Sequence, residues 1–418
     1  MTTPKATLDT PDLSYPTINW MEEKQPRSAL WRSERGAAPP KRVVLADDTL
    51  SADSAYRQAC EGTGLLWRGD FQNARLLLQA LTRRIDKPPK ASKTAKMGRK
   101  KAVAQAETGV PQGEAFHLYR QAKAQRARVL GMVLIEFAPD YAIALRRAPD
   151  AKQACIEAWG PANDGGTSVA SLRELMGVIS AHEWRKKGVE ISALTSAGAA
   201  VAKAAPNNRI YPHYGVFSPV RGEYVDLVAI APFPKKRPAK FVAFDIGTGT
   251  GVLAAVLALR DVDQVVATDQ DERALICAKE NIYKLRLPNP VKVMQADLFP
   301  EGLASVIVCN PPWLPARPGS PLEGAVYDEA SRMLLGFIKG LAAHLAPGGE
   351  GWLILSDFAE HLGLRTRSEL LAAIEAGGLK VLGKMDTKPE HPKALDATNP
   401  LAEARSKEVT SLWRLGAA

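Results

Sequence analysis

From about residue 207 onward, short apolar runs alternate with longer segments in which apolar residues recur at helical spacing. Such short, nearly continuous apolar runs are typical of strands that are buried on both faces of a parallel sheet. The runs are, in order, KFVAFDIG, QVVATD, VKVMQAD, SVIVCN, GGEGWLILS, LKVLGKMD and EVTSLWRL. Strands that alternate with helices predict an α/β fold with a doubly wound, mostly parallel sheet. The last run follows its predecessor through a loop, so we expect the last strand to be antiparallel.

The pattern before residue 207 is less regular and predicts an α+β N-terminal region. Residues 48–85 have helical spacing, and Asp70 can cap a helix whose apolar face begins at Phe71. Further predicted elements are strands over 128–137 and 141–148 and helices over 151–159 and 168–187. We therefore expect five parts: an N-terminal tail (1–46), a helical segment (47–86), a basic linker (87–112), an α+β accessory domain (113–206) and the α/β domain (207–418).

Charge adds one feature to this picture. The 418-residue chain has a net charge of +10, and its run KPPKASKTAKMGRKK (87–101) contains seven basic residues and no acidic one. A run of this kind is usually a solvated linker, and the functional alternative is an arm that binds the phosphates of RNA or DNA.

Composition excludes several kinds of site and location. The four cysteines are widely spaced and form no CxxC pair, which argues against a disulfide framework and a structural zinc site. The histidines share no ligand spacing, so we expect no metal. No apolar run approaches the roughly 20 residues that span a bilayer, and the N-terminus lacks the pattern of a signal peptide. We expect a cytoplasmic protein without membrane contact.

A glycine-rich turn and two aspartates follow the first three strands of the α/β domain. The turn DIGTGTG (245–251) joins a strand to a helix, but Val252 stands where a dinucleotide fingerprint requires glycine. Asp269 ends the second strand, where a carboxylate can accept both hydroxyl hydrogens of a ribose. Asp297 follows the third strand and can accept a hydrogen bond from an adenine amino group, with Leu298 beside the ring. Each aspartate alone is more simply a capping residue, whereas the ordered set predicts a nucleotide-like ligand.

These features resemble the cofactor motifs of the class I S-adenosylmethionine-dependent methyltransferases, and the resemblance covers roughly residues 210–418. It implies a seven-stranded, Rossmann-like doubly wound sheet and S-adenosyl-L-methionine as the cofactor. It also implies that the glycine turn faces the methionine part of the cofactor. Segment 217–219 is the candidate for a lid over the cofactor, and the alternative is a strand and helix cap that join the domains. The residues that carry these implied cofactor-binding roles are Asp245, Gly247, Gly249, Gly251, Asp269, Asp297, Leu298, Asn310 and Phe217.

The fourth strand ends in Asn310, Pro311, Pro312 and Trp313. The amide oxygen of Asn310 and the carbonyl of Pro311 can accept hydrogen bonds from a planar amino group, and Trp313 can stack on a flat target. These acceptors would stabilise the positive charge that forms on the nitrogen during methyl transfer. The tetrapeptide resembles the (N/D)PP(Y/F/W) motif of amino methyltransferases, which act on exocyclic amino groups of bases or on glutamine amides. We assign the catalytic role to these four residues.

The choice of amino group stays open. The net charge and the second basic run, RQAKAQRAR (120–128), favour an RNA base, adenine N6 or guanine N2, in ribosomal or transfer RNA. Protein glutamine on a translation factor or ribosomal protein is the alternative, although related glutamine enzymes usually carry Tyr at the position of Trp313. DNA adenine, a small molecule, a catalytically silent RNA-binding relative and a nicotinamide oxidoreductase are further alternatives. Glu323, Tyr327 and Asp328 follow the tetrapeptide, where substrate loops lie in the related enzymes.

Overall fold

The computed structural model describes residues 16–86, 112–162, 166–195, 207–220, 222–389 and 400–418. It divides the chain into two compact units. The first unit combines Met1–Pro88 with Gln125–Ile179, and the second combines Pro89–Ala124 with Ser180–Ala418. The predicted basic linker, with its run 87–101, lies outside the described residues except for its last residue.

Within this part of the chain the elements are short and numerous. The strands are β1 (Thr17–Glu22), β2 (Gln25–Trp31), β3 (Arg42–Ala46), β4 (Thr63–Trp67), β5 (Val133–Phe137), β6 (Ser168–Ser171), β7 (Val189–Glu190), β8 (Arg209–Ile210), β9 (Val242–Ile246), β10 (Gln264–Asp269), β11 (Val291–Gln295), β12 (Ala304–Cys309), β13 (Leu345–Ser356), β14 (Leu379–Thr387) and β15 (Thr410–Ala417). The helices are α1 (Ala52–Cys60), α2 (Phe71–Ile85), α3 (Gln112–Leu130), α4 (Lys152–Trp159), α5 (Leu172–Lys187), α6 (Glu223–Ile230), α7 (Val252–Leu259), α8 (Glu272–Leu285), α9 (Pro321–Gly324), α10 (Arg332–His344), α11 (Phe358–His361), α12 (Arg367–Ala376) and α13 (Ala402–Ser406). No helix that the structure describes is both long enough and apolar enough to cross a membrane.

The first unit is built on a six-stranded mixed sheet with the order β1-β2-β6-β5-β4-β3. The prediction of a tail over 1–46 is wrong for the described part, because three of these strands lie there. In β1 only Ile18 and Trp20 are buried. Two buried positions are too few for the alternation of a strand to be recognised in the sequence. Residues 1–15 lie outside the described residues.

The helical segment and the accessory domain share this sheet and are not separate. The predicted helical segment 47–86 contains two helices, α1 and α2, but also the unpredicted strand β4. All five residues of β4 are buried, and a short buried strand and a buried helix turn have similar composition. Residues 141–148 form no strand, and Tyr141 and Arg147 adopt left-handed backbone conformations there. The predicted helix 168–187 begins with the strand β6. The predicted cap is present, since the Asp70 carboxylate accepts the Gln72 N–H at 2.9 Å.

The second unit contains a seven-stranded sheet with the order β11-β10-β9-β12-β13-β15-β14. The pairs from β11 to β13 are parallel, and β15 is antiparallel to both of its neighbours, as predicted. The chain runs outward from β9 through β10 to β11 and then returns to place β12 on the other side of β9. The strand order therefore reverses between β9 and β12, and a crevice opens at the carboxyl ends of strands at such a point.

Side chains that alternate along these strands form two cores, one on each face of the sheet. In β12, Val306 and Val308 belong to a core with α6 and α7, whereas Ile307 and Cys309 belong to a core with α10 and α12. The first core also contains Val189, which precedes the predicted boundary at 207. The structure therefore divides the chain at a different place from the predicted domains, within α3 and α5.

A long helix, α10, precedes β13, and two residues with left-handed backbone precede that helix. Ala330 and Ser331 adopt left-handed conformations with φ of 54° and 53°, and the long helix, α10, begins only after them. At the other end, β13 begins at Leu345. The residues between the tetrapeptide and α10 are thereby free to form a loop over the sheet edge.

A buried amide ties the segment before α6 to the glycine turn. Asn281 in α8 is fully buried, and its Oδ1 accepts the backbone N–H of Tyr211 at 2.8 Å. Its Nδ2 donates to the backbone oxygen of Thr250 at 3.0 Å. One side chain thus satisfies backbone groups of two loops that border the same crevice.

We expect Asn281→Ala to lower the free energy of unfolding of the second unit by about 2 kcal/mol, because buried backbone groups lose their partners. The measurement is hydrogen exchange of peptides from α7 and α8 across a urea series. Tyr283, on the same helix and 85% exposed, provides the control, and Tyr283→Ser should change stability by less than about 0.5 kcal/mol. Equal effects of the two changes would contradict the assigned role.

Candidate active site

A cavity of about 970 Å³ opens at the carboxyl ends of the strands of the second unit. Its lining includes residues that follow β10, β9, β12 and β13, and residues that precede β15. These five strands are consecutive in the sheet. The cavity therefore runs along the sheet edge, with β12 at its centre. The predicted site residues that line it are Phe217, Gly247, Gly249, Asp269, Asp297, Leu298, Asn310, Pro311, Pro312 and Trp313.

Two predicted residues, Asp245 and Gly251, are not among the described residues that line the cavity. Asp245 is fully buried behind the glycine turn, where its Oδ2 accepts the Thr248 hydroxyl at 2.6 Å and the Ala254 N–H at 2.9 Å. Its Oδ1 is buried and has no hydrogen-bond partner among the described residues. Burial raises the pKa of Asp245 to about 7, although both hydrogen bonds oppose the shift. Asp245 therefore holds the turn that borders the cavity.

The glycines of the turn are required by backbone conformation. Gly247 and Gly249 have φ of 70° and 55°, which side chains of L residues rarely adopt. A Cβ at position 247 would also collide with the methyl group of Met333, whereas no atom lies within 4 Å of a Cβ at position 249. Since Gly247 and Gly249 line the cavity and have no side chains, a ligand in the cavity can approach the backbone of the turn.

The two strand-end aspartates differ in their surroundings. Asp269 Oδ2 accepts the Gly249 N–H at 2.9 Å and its Oδ1 accepts the Asp271 N–H at 3.0 Å, so the carboxylate is fixed. Burial raises its pKa, and these backbone hydrogen bonds oppose the rise. Asp297 has a side chain that is 66% exposed and pairs with Arg332 at 3.1 Å. Asp269 is therefore a rigid acceptor, whereas Asp297 lies at the open rim.

A side-chain hydrogen bond joins the first and last residues of the tetrapeptide. The indole Nε1 of Trp313 donates to Oδ1 of Asn310 at 2.9 Å, and the Trp313 ring packs against both cores of the sheet. A carbonyl oxygen has two lone pairs, so Oδ1 can still accept one further hydrogen bond.

The loop after the tetrapeptide folds back onto it. Leu314 exchanges backbone hydrogen bonds with this loop, donating to the Val326 oxygen at 3.2 Å and accepting from Asp328 N at 2.9 Å. The Asp328 carboxylate, which is 8% exposed, accepts the Met333 N–H at 2.9 Å at the start of α10. Burial raises the pKa of Asp328. Sequence spacing named this aspartate as a loop residue but gave no reason to rank it above its neighbours.

Tyr327, in the same loop, lines the cavity and contacts α3. The Arg120 guanidinium lies 4.1 Å from the centre of the Tyr327 ring, and its Nη2 donates to the Arg317 oxygen at 2.7 Å. Phe116 of the same helix packs in a cluster with Leu314. Part of the second basic run therefore supports the wall of the cavity.

Sequence reasoning missed the group that lies beyond β13. Phe358 follows β13, and Glu408 and Arg405 precede β15, so all three reach the same sheet edge. Glu408 is 2% exposed and accepts the Ser356 hydroxyl at 3.0 Å, while the Arg405 guanidinium lies 4.7 Å from the Phe358 ring. Only the strand order brings these residues to the cavity, and no local motif marks them.

The described residues contain no group of three or more His, Cys, Asp and Glu side chains that could hold a metal ion.

The model of the methyltransferase small domain family matches residues 207–369. The domain is an S-adenosylmethionine-dependent methyltransferase. The enzyme class and the cofactor predicted from the sequence are thereby confirmed for this domain.

Two curated relatives show which enzymes carry similar segments. A tRNA1(Val) (adenine(37)-N6)-methyltransferase of Pedobacter heparinus is 32% identical over 117 residues, which cover 27% of this chain and 50% of the relative. A release factor glutamine methyltransferase of Rhodopirellula baltica is 40% identical over 83 residues, which cover 19% of this chain and 28% of the relative. The matched segments thus span half or less of these two enzymes. A solved structure, the ribosomal protein L11 methylase of Lactobacillus delbrueckii subsp. bulgaricus, is 16% identical with a TM-score of 0.33, over 48% of this chain and 80% of that one.

The raised pKa of Asp245 predicts a pH dependence of the stability of the methyltransferase domain. Between its ordinary pKa of 3.8 and about 7, the folded state keeps a proton that the unfolded state releases, so wild-type stability falls as pH rises through this window. Asp245→Asn removes this titration. We expect urea midpoints of the variant, relative to wild type, to increase from about pH 5 to about pH 8. Parallel pH profiles for the two proteins would contradict the assignment.

Proposed function

We propose that this protein transfers a methyl group from S-adenosylmethionine to a planar amino nitrogen, most specifically the exocyclic amino group of an RNA base, adenine N6 or guanine N2. One observation carries the proposal. The carboxamide of Asn310 and the carboxylate of Asp269 line the same cavity, on strands separated only by β9.

The residues on the β9 and β10 side fit the cofactor. The bare glycine turn allows a ligand to approach the backbone, and the fixed carboxylate of Asp269 offers acceptors to ribose hydroxyls. Asp297 and Leu298 line the adjoining part of the cavity, where an adenine would lie, and Phe217, from the segment before α6, lines the same cavity. A cavity of about 970 Å³ lies within the range of cofactor sites. The bound cofactor supplies an electrophilic methyl group.

The chain's own residues act on the target nitrogen. A conjugated amino group is a poor nucleophile because its lone pair is delocalised into the ring or carbonyl. The free lone pair of Asn310 Oδ1 and the Pro311 carbonyl accept its two hydrogens and align it for attack. Positive charge develops on this nitrogen during transfer, and the same acceptors stabilise it. The nitrogen becomes acidic only after methylation, so no strong base is required beforehand.

An RNA target has three kinds of support. The relative from Pedobacter heparinus is named for adenine N6 of a transfer RNA, and the chain has a net charge of +10. The β13 and β15 side of the cavity offers aromatic and charged side chains to a flat, polar group. A base in a duplex or folded RNA would have to be unstacked to enter.

A glutamine amide on a protein is the second candidate. It is favoured by the segment that is 40% identical to a release factor glutamine methyltransferase. A glutamine amide is also a planar NH2 group, so Asn310 and Pro311 would act on it in the same way.

The decisive experiment offers both targets to the full-length protein. Purified protein is incubated with tritiated S-adenosylmethionine and, separately, with unmodified transfer RNA, unmodified ribosomal RNA or release factor. We expect label in an RNA fraction, and nuclease digestion should identify the methylated base. Label only on protein would replace the RNA proposal with the glutamine alternative, and no label on any target would contradict both.

Two substitutions on neighbouring strands should separate binding from transfer. Asp269→Ala should weaken binding of S-adenosylhomocysteine by at least about tenfold, since a charge-assisted hydrogen-bond acceptor is lost. Asn310→Ala should abolish transfer and change that affinity by less than about threefold, because its side chain faces the target nitrogen. Calorimetric titration and the tritium assay measure the two effects. Transfer by Asn310→Ala at the wild-type rate would contradict the role of the amide.

A further inference from the structure

We propose that the indole N–H of Trp313 orients the Asn310 carboxamide and so fixes which end of this amide faces the target amino group. Trp313 is then a positioning residue, in addition to any contact that its ring makes with the target. The inference rests on the proposed amino-methyl transfer.

The need for such a device follows from the symmetry of an amide. The oxygen and nitrogen of a carboxamide have nearly the same shape, but one accepts hydrogen bonds and the other donates them. Only the oxygen can receive a hydrogen from a target NH2 group. If the Asn310 amide were turned by 180°, its own NH2 group would face the NH2 group of the target. Both groups only donate hydrogen bonds, so the site would lose its acceptor.

The prolines remove the backbone groups that usually orient an asparagine. An asparagine before a turn normally accepts the backbone N–H two residues later. Here that residue is Pro312, and Pro311 precedes it, so neither has a backbone N–H. The donor that is present instead is the side chain of the next residue, Trp313, with Nε1 at 2.9 Å from Oδ1.

The donor is itself held by packing. The Trp313 ring packs against the cores on both faces of the sheet. Asn310 directly follows Cys309, the last residue of the buried strand β12. An indole N–H can only donate, so this contact selects the oxygen of the amide. Phenylalanine at this position has no donor, and the hydroxyl of tyrosine lies at the far end of its ring. Tryptophan is therefore the aromatic residue that can both fill this place and hold the amide.

The first test is spectroscopic and needs no substrate. The chain has eight tryptophans, so a 15N–1H correlation spectrum of the full-length protein contains eight indole N–H signals, and Trp313→Phe identifies one of them by its loss. In Asn310→Ala we expect this signal to move upfield and to exchange faster with solvent. An unchanged signal would overturn the inference, whatever the substrate is.

The second test is a double-substitution cycle on methyl transfer, with the substrate labelled in the experiment above. We expect Trp313→Phe to lower kcat by about tenfold, the value of one hydrogen bond, with KM for S-adenosylmethionine unchanged within about twofold. Asn310→Asp presents oxygen at both ends and needs no orientation. In that background the same Phe substitution should lower kcat by less than about twofold.

Equal losses of kcat in the two backgrounds would overturn the inference. If Asn310→Asp is inactive, the decision rests on the spectrum alone. Trp413→Phe is the matched control, because Trp413 is another buried tryptophan of the same unit that does not line the cavity, and its kcat should equal that of wild type. A wild-type protein that labels no target would contradict the proposed function, while the spectrum would still test the orientation of the amide.

Discussion

The adjacency of β9 and β12 governs everything else at the sheet edge. These strands lie more than 50 residues apart in the chain, yet they pair directly, with Cys309 opposite Ile246. The glycine turn leaves β9 at this level and the tetrapeptide leaves β12 at the same level. Two segments with different chemistry are thereby held about 5 Å apart by backbone hydrogen bonds, before any side chain contributes. Methyl transfer requires this kind of fixed spacing between a donor site and an acceptor site.

The polar groups at this edge are stabilised by the backbone rather than by opposite charges. Asp245, Asp269 and Asp328 are each buried or partly buried, each has a raised pKa, and each accepts backbone N–H groups from the turn or helix that follows a strand. Burial of a carboxylate is costly, and these hydrogen bonds offset part of that cost. The carboxylates therefore fix the loops, and the loops in turn shape the cavity.

The sequence allowed the β9 to β12 half of the site to be predicted, because its residues lie within motifs. Gly247, Asp269 and Asn310 each follow a recognisable strand, and parallel strands bring their ends to one edge. The same reasoning could not separate a residue that lines the cavity from one that lies behind it. Asp245 belongs to the motif but is covered by the turn that it holds. The N-terminal strands were missed because their periodic pattern extends over only two or three residues.

The β13 and β15 half of the site depends on strand order, and this explains why the cofactor could be predicted and the target could not. Glu408 precedes the last strand and reaches the cavity only because β15 inserts antiparallel between β13 and β14. Tyr327 owes its support to Arg120, which is 207 residues earlier in the sequence. Under the proposed function, the cofactor is held by local motifs, whereas the target meets a wall assembled from distant segments. Enzymes with the same motifs can therefore differ in their targets, and the residues that make the difference lie outside the motifs.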